Sequence, residues 1–125
     1  VSLTFLNTIL IVEDSPSELE LMSYYLQEGG YNVIKTSRAK EALERAFLQK
    51  PDIIITDVIM PEMSGFELCR YLKRNPITEK VPVVICSCKN QEIDRLWAMK
   101  QGANAYITKP YTREYLLQAI KSVVI

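Results

Sequence analysis

The sequence predicts an α/β fold: five parallel strands in one sheet, with helices on both faces. Three observations predict it. The runs at residues 9–12, 53–55 and 83–85 are almost wholly apolar, as strands buried on both faces are. Longer segments with apolar residues at helical spacing alternate with them. Gly29-Gly30, Pro51, Asn75-Pro76 and Gly102 punctuate the alternation. A chain of 125 residues suits one domain with one substantial core. The expectation is a single domain over 1–125, with its core at about 8–123.

Residues 8–12 (TILIV) form the first strand and run into Glu13-Asp14. Leu19, Met22 and Leu26 then predict a helix over about 16–28, stopped by the glycine pair. Residues 31–35 (YNVIK) alternate like a strand. Residues 39–49 are rich in helix formers, with Ala42/Ala46 and Leu43/Phe47 four apart. Residues 52–56 give a third strand and 65–74, opened by Gly65, a third helix. A polar loop leads to a fourth strand at 82–86. A helix at 91–100, a strand at 104–107 and a helix at 112–123 complete the fifth repeat.

Composition excludes several function classes. Lys plus Arg and Asp plus Glu are each 15, so no basic excess points to direct nucleic-acid binding. No apolar run approaches the roughly 18 residues of a membrane span. The stretch from Asn7 to Val12 lacks the basic start and cleavage site of a secretion signal, so a cytoplasmic location is expected. The cysteines, Cys69, Cys86 and Cys88, are odd in number and read as free thiols. Cys86 and Cys88 read as small apolar residues closing a strand; a metal pair would need further ligands that the neighbouring sequence lacks. Histidine is absent. That removes His-based triads and His metal sites, and the chain cannot carry a phosphohistidine.

Asp57 presents a contradiction. It follows the buried-type strand IIIT and precedes Val58, Ile59 and Met60, and an unpaired charge at the edge of an apolar core is costly. In parallel α/β sheets ligands bind beyond the carboxyl ends of the strands. Those ends carry Glu13-Asp14, Asp57, Ser87 and Lys109-Pro110. Three acids at one edge repel each other, and a hard divalent cation such as Mg²⁺ resolves the conflict with oxygen ligands. Asp57 is then a plausible nucleophile toward phosphorus, with Lys109 and Ser87 as charge and hydroxyl donors for phosphoryl oxygens. Each feature alone has a plainer reading. Asp14 or Ser15 before Pro16 resembles a helix cap, and Lys-Pro resembles a turn. Their coincidence at successive strand ends is the specific signal.

IVEDSP (11–16), TDVIMPEMSGFEL (56–68), PVVICS (82–87) and GANAYITKP (102–110) resemble the receiver domain of two-component response regulators, the CheY-like fold. The resemblance runs from about Thr8 to the end of the chain. It implies the strand order 2-1-3-4-5 shared by flavodoxin and CheY. It implies a phosphoacceptor at Asp57, and Mg²⁺ held by Glu13, Asp14, Asp57 and the carbonyl of Ile59. Ser87 and Lys109 would hold the phosphoryl group, and Tyr106 would turn inward as Ser87 moves. Pro110 would follow a cis peptide bond. The donor would be a sensor histidine kinase or phosphotransfer protein. An output protein would bind the 91–123 face, and the chain would be a monomer or a weak phosphorylation-dependent homodimer. In this family the positions of Ile59 and Lys89 flank the path of the hydrolytic water; an apolar Ile59 implies slow self-dephosphorylation. Cys88 is expected to be a buried spectator thiol.

Residues 89–110 are similar to the corresponding segment of PilH- and PilG-type regulators of type IV pilus motility. Trp97 reads equally as a partner anchor and as a half-buried packing residue; Tyr111 and Tyr115 carry the same ambiguity. A stand-alone receiver in motility or taxis signalling is the leading expectation, since the sequence stops soon after its last helix. The alternatives are the receiver portion of a larger transcriptional regulator, and a Mg²⁺-dependent aspartyl phosphatase. Ile59 argues against the phosphatase, which would place an acid two residues after its nucleophile. A degenerate receiver is disfavoured by the complete set of Glu13, Asp14, Asp57, Ser87 and Lys109.

Overall fold

The computed structural model describes residues 7–123. In chain order the elements are β1 (Thr8–Val12), α1 (Pro16–Glu28), β2 (Asn32–Thr36), α2 (Ala39–Gln49), β3 (Ile53–Thr56), α3 (Gly65–Arg74), β4 (Val83–Ser87), α4 (Glu92–Lys100), β5 (Ala105–Thr108) and α5 (Arg113–Val123). The strands form one sheet in the order β2-β1-β3-β4-β5, and every neighbouring pair is parallel. The fold class and strand order agree with the sequence-based expectation. The strands β2, β4 and β5 each lie one residue further along the chain than predicted. Apolar pattern sets which residues are buried, but hydrogen bonds to the neighbouring strand decide where a strand ends.

Alternation along the strands splits the core into two layers. Ile9, Ile11, Ile53, Ile55, Val84, Cys86 and Ile107 face Met22 and Leu26 of α1 and Leu116 and Ile120 of α5. Leu10, Val12, Ile54, Val83 and Ile85 face Ala42 and Ala46 of α2, Leu68, Cys69 and Leu72 of α3, and Ala98 of α4. The three central strands are buried on both sides, which explains their near-continuous apolar sequence. β2, at the sheet edge, keeps Asn32 and Lys35 exposed.

Helix ends are marked by local chemistry. Pro16 occupies the first turn of α1, where its missing N–H costs nothing. Lys50 ends α2 in the left-handed region at φ 47°, just before Pro51. Ser64 and Glu67 form a reciprocal capping box on α3: each side chain accepts from the other's backbone N–H, both at 3.1 Å.

Candidate functional site

Order 2-1-3 puts the crossover reversal between β1 and β3, and the site lies at their carboxyl ends. Val12 stands opposite Thr56, and the ladder continues as the Asp57 N–H donates to the Val12 carbonyl at 3.1 Å. The two strands therefore deliver Glu13-Asp14 and Asp57 side by side. On the other flank, Ser87 pairs with Thr108, and the Lys109 N–H donates to the Ser87 carbonyl at 2.9 Å. The Lys109–Pro110 peptide is cis.

Carboxylate oxygens of Glu13, Asp14 and Asp57 lie within 4.8 Å of one another. They line a cleft of about 590 Å³ with Ser15, Glu18, Leu21, Ile59, Cys88, Lys109, Pro110 and Tyr111. The Lys109 ammonium donates to Glu13 at 2.8 Å, to Asp57 at 3.1 Å and to Glu18 at 2.5 Å. Burial disfavours the lysine cation, but hydrogen bonds to Glu13, Glu18 and Asp57 outweigh it and hold the Lys109 pKa above its ordinary value. The Glu13 pKa is raised as well, by burial, and its bonds to Lys109 and the Ser15 N–H offset that only in part. The site is therefore a crowded acidic group held by one lysine. Three hard oxygen donors this close fit a divalent cation.

Local backbone fixes the Asp57 carboxylate. Its Oδ1 accepts from the Val58 N–H at 2.6 Å, and its carbonyl accepts from the Thr56 hydroxyl at 2.9 Å. Gly65 lets α3 approach this loop. Its N–H donates to the Val58 carbonyl at 2.9 Å, and a Cβ built there would overlap the Asp57 carbonyl oxygen. Close approach of two backbones is the physical reason for glycine at this position.

Ser87 is fully buried at the end of β4, and its Oγ accepts from the Lys89 N–H at 3.2 Å. Tyr106, expected to turn inward as Ser87 moves, is already inward and buried here, and its hydroxyl donates to the Lys89 carbonyl at 2.6 Å. Burial raises its pKa. Lys89 thus bridges the two side chains through its backbone. The Arg95 guanidinium of α4 sits 5.4 Å from the centre of the Tyr106 ring.

The structure thus gathers Glu13, Asp14, Asp57 and Lys109 into one group and puts Ile59 on the cleft wall. Ser87 and Tyr106 meet at Lys89, off the cleft lining. Cys88 is a correction: it is exposed and lines the cleft. β4 ends at Ser87, so the next residue leaves the sheet and turns outward. Cys69 and Cys86 are buried, and burial pushes their thiols up to about 11 and about 12. Glu18 was missed. It stands one helical turn after Asp14, which brings it to the same end of α1 as the acid pair, and that spacing was the available signal. Trp97 is 47% exposed, and Tyr115 is similarly open. Tyr111 packs edge-on against Tyr25 and lines the cleft.

A sheet of this order with acids at the β1 and β3 ends defines a protein class. The response regulator receiver domain family matches residues 9–121, and the chain belongs to it. It is a receiver domain of two-component signalling. Over 116 residues it is 38% identical to Protein PilH of Pseudomonas aeruginosa, covering 93% of this chain and 96% of that protein. It is 34% identical to the alkaline phosphatase synthesis transcriptional regulatory protein PhoP of Bacillus subtilis, of which it spans 48%. The chemotaxis response regulator CheY4 of Vibrio cholerae superposes with a TM-score of 0.90 at 29% identity, covering 95% of this chain and 99% of that one. Among the described residues, no helix is long and apolar enough to cross a membrane.

Proposed function

We propose that this chain is a phosphorylation-controlled binding module whose phosphoacceptor is Asp57. The observation that carries the reading is the Glu13-Asp14-Asp57 group with Lys109 bonded into it. Glu13, Asp14, Asp57 and the Ile59 carbonyl would hold Mg²⁺. The ion supplies positive charge that relieves repulsion among the carboxylates and an incoming phosphoryl group. An Asp57 carboxylate oxygen attacks phosphorus, the bond from phosphorus to the donor's imidazole nitrogen breaks, and its electron pair stays on that nitrogen. Asp57 is held for this by the Val58 N–H, and Lys109 offers an ammonium proton to a phosphoryl oxygen. Ser87 supplies a hydroxyl to the same group.

The donor is a sensor histidine kinase or a phosphotransfer protein, the partners that membership of the receiver family implies. The acyl phosphate adds about 1.5–2 negative charges at one point. Ser87 responds to it, and Tyr106 carries the change to the 91–123 face, where an output protein binds. Similarity to PilH along nearly its whole length supports a stand-alone receiver in motility signalling. Each phosphorylation is one switching event, so the chain is a substrate and not a turnover enzyme. Ile59 in place of a second acid supports that reading over a phosphatase. A second reading, the receiver part of a transcriptional regulator, is favoured by the match to about half of PhoP.

Incubation with Mg²⁺ and phosphoramidate, followed by mass spectrometry, tests the proposal. The expected result is one phosphoryl adduct at Asp57, lost on chelation and absent in Asp57→Asn. No adduct at any Mg²⁺ concentration would overturn it. The Ile59 side chain is exposed on the cleft wall and offers water no hydrogen bond. Ile59→Asn is therefore expected to shorten the phosphoryl lifetime several-fold, and an unchanged lifetime would remove that role.

A further inference from the structure

An ammonium group has three protons, and Lys109 gives all three to carboxylates, those of Glu13, Asp57 and Glu18. We propose that Glu18 is a positioning residue: a releasable counter-anion that parks Lys109 and opposes anionic groups at the cleft until a phosphoryl oxygen replaces it. The inference rests on the reading of Asp57 as phosphoacceptor.

For Lys109 to bond a phosphoryl oxygen, one of its three acceptors must give way. The Glu13 side chain is only 5% exposed, and its second oxygen already accepts from the Ser15 N–H. Water reaches it poorly, so its charge depends on a cation in contact, Lys109 or a bound Mg²⁺. Asp57 carries the incoming group itself. The Glu18 side chain is 49% exposed, so water takes over its hydrogen bond at little cost. Its place in the first turn of α1 favours a carboxylate even after Lys109 leaves. Among the described residues, Lys109 is the cation paired with Glu18. Released, Glu18 stays on the cleft wall as a negative charge facing a negative group. Glu18 therefore weakens the phosphoryl-bound state and strengthens cation binding.

Those two effects have opposite signs, and that separates the proposal from a merely structural role. Calorimetric titration of the full chain would measure Mg²⁺ affinity, then beryllofluoride affinity in saturating Mg²⁺. Glu18→Gln is expected to bind beryllofluoride roughly three- to tenfold more tightly and Mg²⁺ more weakly by a similar factor, as fits a half-exposed, partly screened charge. Glu18→Asp keeps the charge but withdraws it by one methylene, so its Mg²⁺ affinity should stay near the parent's. Proton exchange of the Lys109 ammonium, read by NMR and assigned by its loss in Lys109→Met, should be faster in Glu18→Gln without any ligand. Equal or weaker beryllofluoride binding by Glu18→Gln overturns the proposal, and so does unchanged ammonium exchange. A parent protein that binds no beryllofluoride overturns the phosphoacceptor reading itself, and this inference with it.

Discussion

The helices α3 and α4 lie on the same face of the sheet and are held very differently. α3 has a complete capping box, an acid in its first turn and two basic residues in its last. It buries Gly65, Leu68, Cys69 and Leu72. α4 is nine residues long, and Ala98 is its one buried residue. Ile93, Leu96 and Trp97 of α4 stay exposed. Of the reciprocal bonds expected at its start, the geometry supports the one from the Gln91 N–H to Asp94 at 3.1 Å. Local stability follows buried apolar contact, so α3 is part of the rigid frame and α4 is the more easily moved of the two. The frame helix abuts the Asp57 loop through Gly65. The loose helix meets the Ser87–Lys89–Tyr106 connection through Arg95.

The largest expected effects lie in α3. Leu72→Ala should lower stability by about 2–5 kcal/mol in urea unfolding, because it empties a fully enclosed site. Trp97→Ala on α4 should cost about 1 kcal/mol or less, although its side chain is larger. Equal costs would break the comparison. Gly65→Ala comes next, at about 2–4 kcal/mol, since the new methyl must push the α3 start away from the Asp57 carbonyl. Mg²⁺ affinity should fall with it, and a Gly65→Ala protein of parental stability and Mg²⁺ affinity would remove that account of the glycine.

Smaller effects sharpen the contrast. Arg95→Ala should change stability by about 0.5–1 kcal/mol, the scale of an exposed cation–π contact. It should weaken the response of α4 to a phosphoryl analogue more than it weakens binding of the analogue. Thiol labelling gives the mildest test. At pH 8 one equivalent should react in the folded protein, at Cys88, and three after unfolding, because burial shields Cys69 and Cys86 and raises their pKa values.

Much of this was legible in the sequence, for physical reasons. Strands covered on both faces must be apolar throughout, so IIIT and VVIC announced themselves. The acids at successive strand ends marked the candidate site because parallel pairing brings those ends together. Other features depend on three-dimensional neighbours. Strand ends shifted by one residue because the neighbouring strand supplies the last bonds. Cys88 looked like a continuation of an apolar strand, yet it lies past the last pair, Ser87 with Thr108, and faces the cleft. Glu18 was not singled out at all, since the fold is what brings it to a lysine 91 positions away. Trp97 was ambiguous in sequence and is half exposed in the structure, on a helix that buries little.

Hydrogen exchange tests the central claim most directly: that the acidic edge controls a loosely held α4 while α3 stays fixed. It would follow the amides of α3 and α4 in Mg²⁺ alone and in Mg²⁺ with beryllofluoride, for the parent and for Asp57→Asn. The account predicts faster exchange in α4 than in α3 at rest. Beryllofluoride should then change exchange in α4 and at Tyr106, leave the middle of α3 unchanged, and have no effect on Asp57→Asn. Equal protection of the two helices at rest, or a response in α3 as large as in α4, would contradict it.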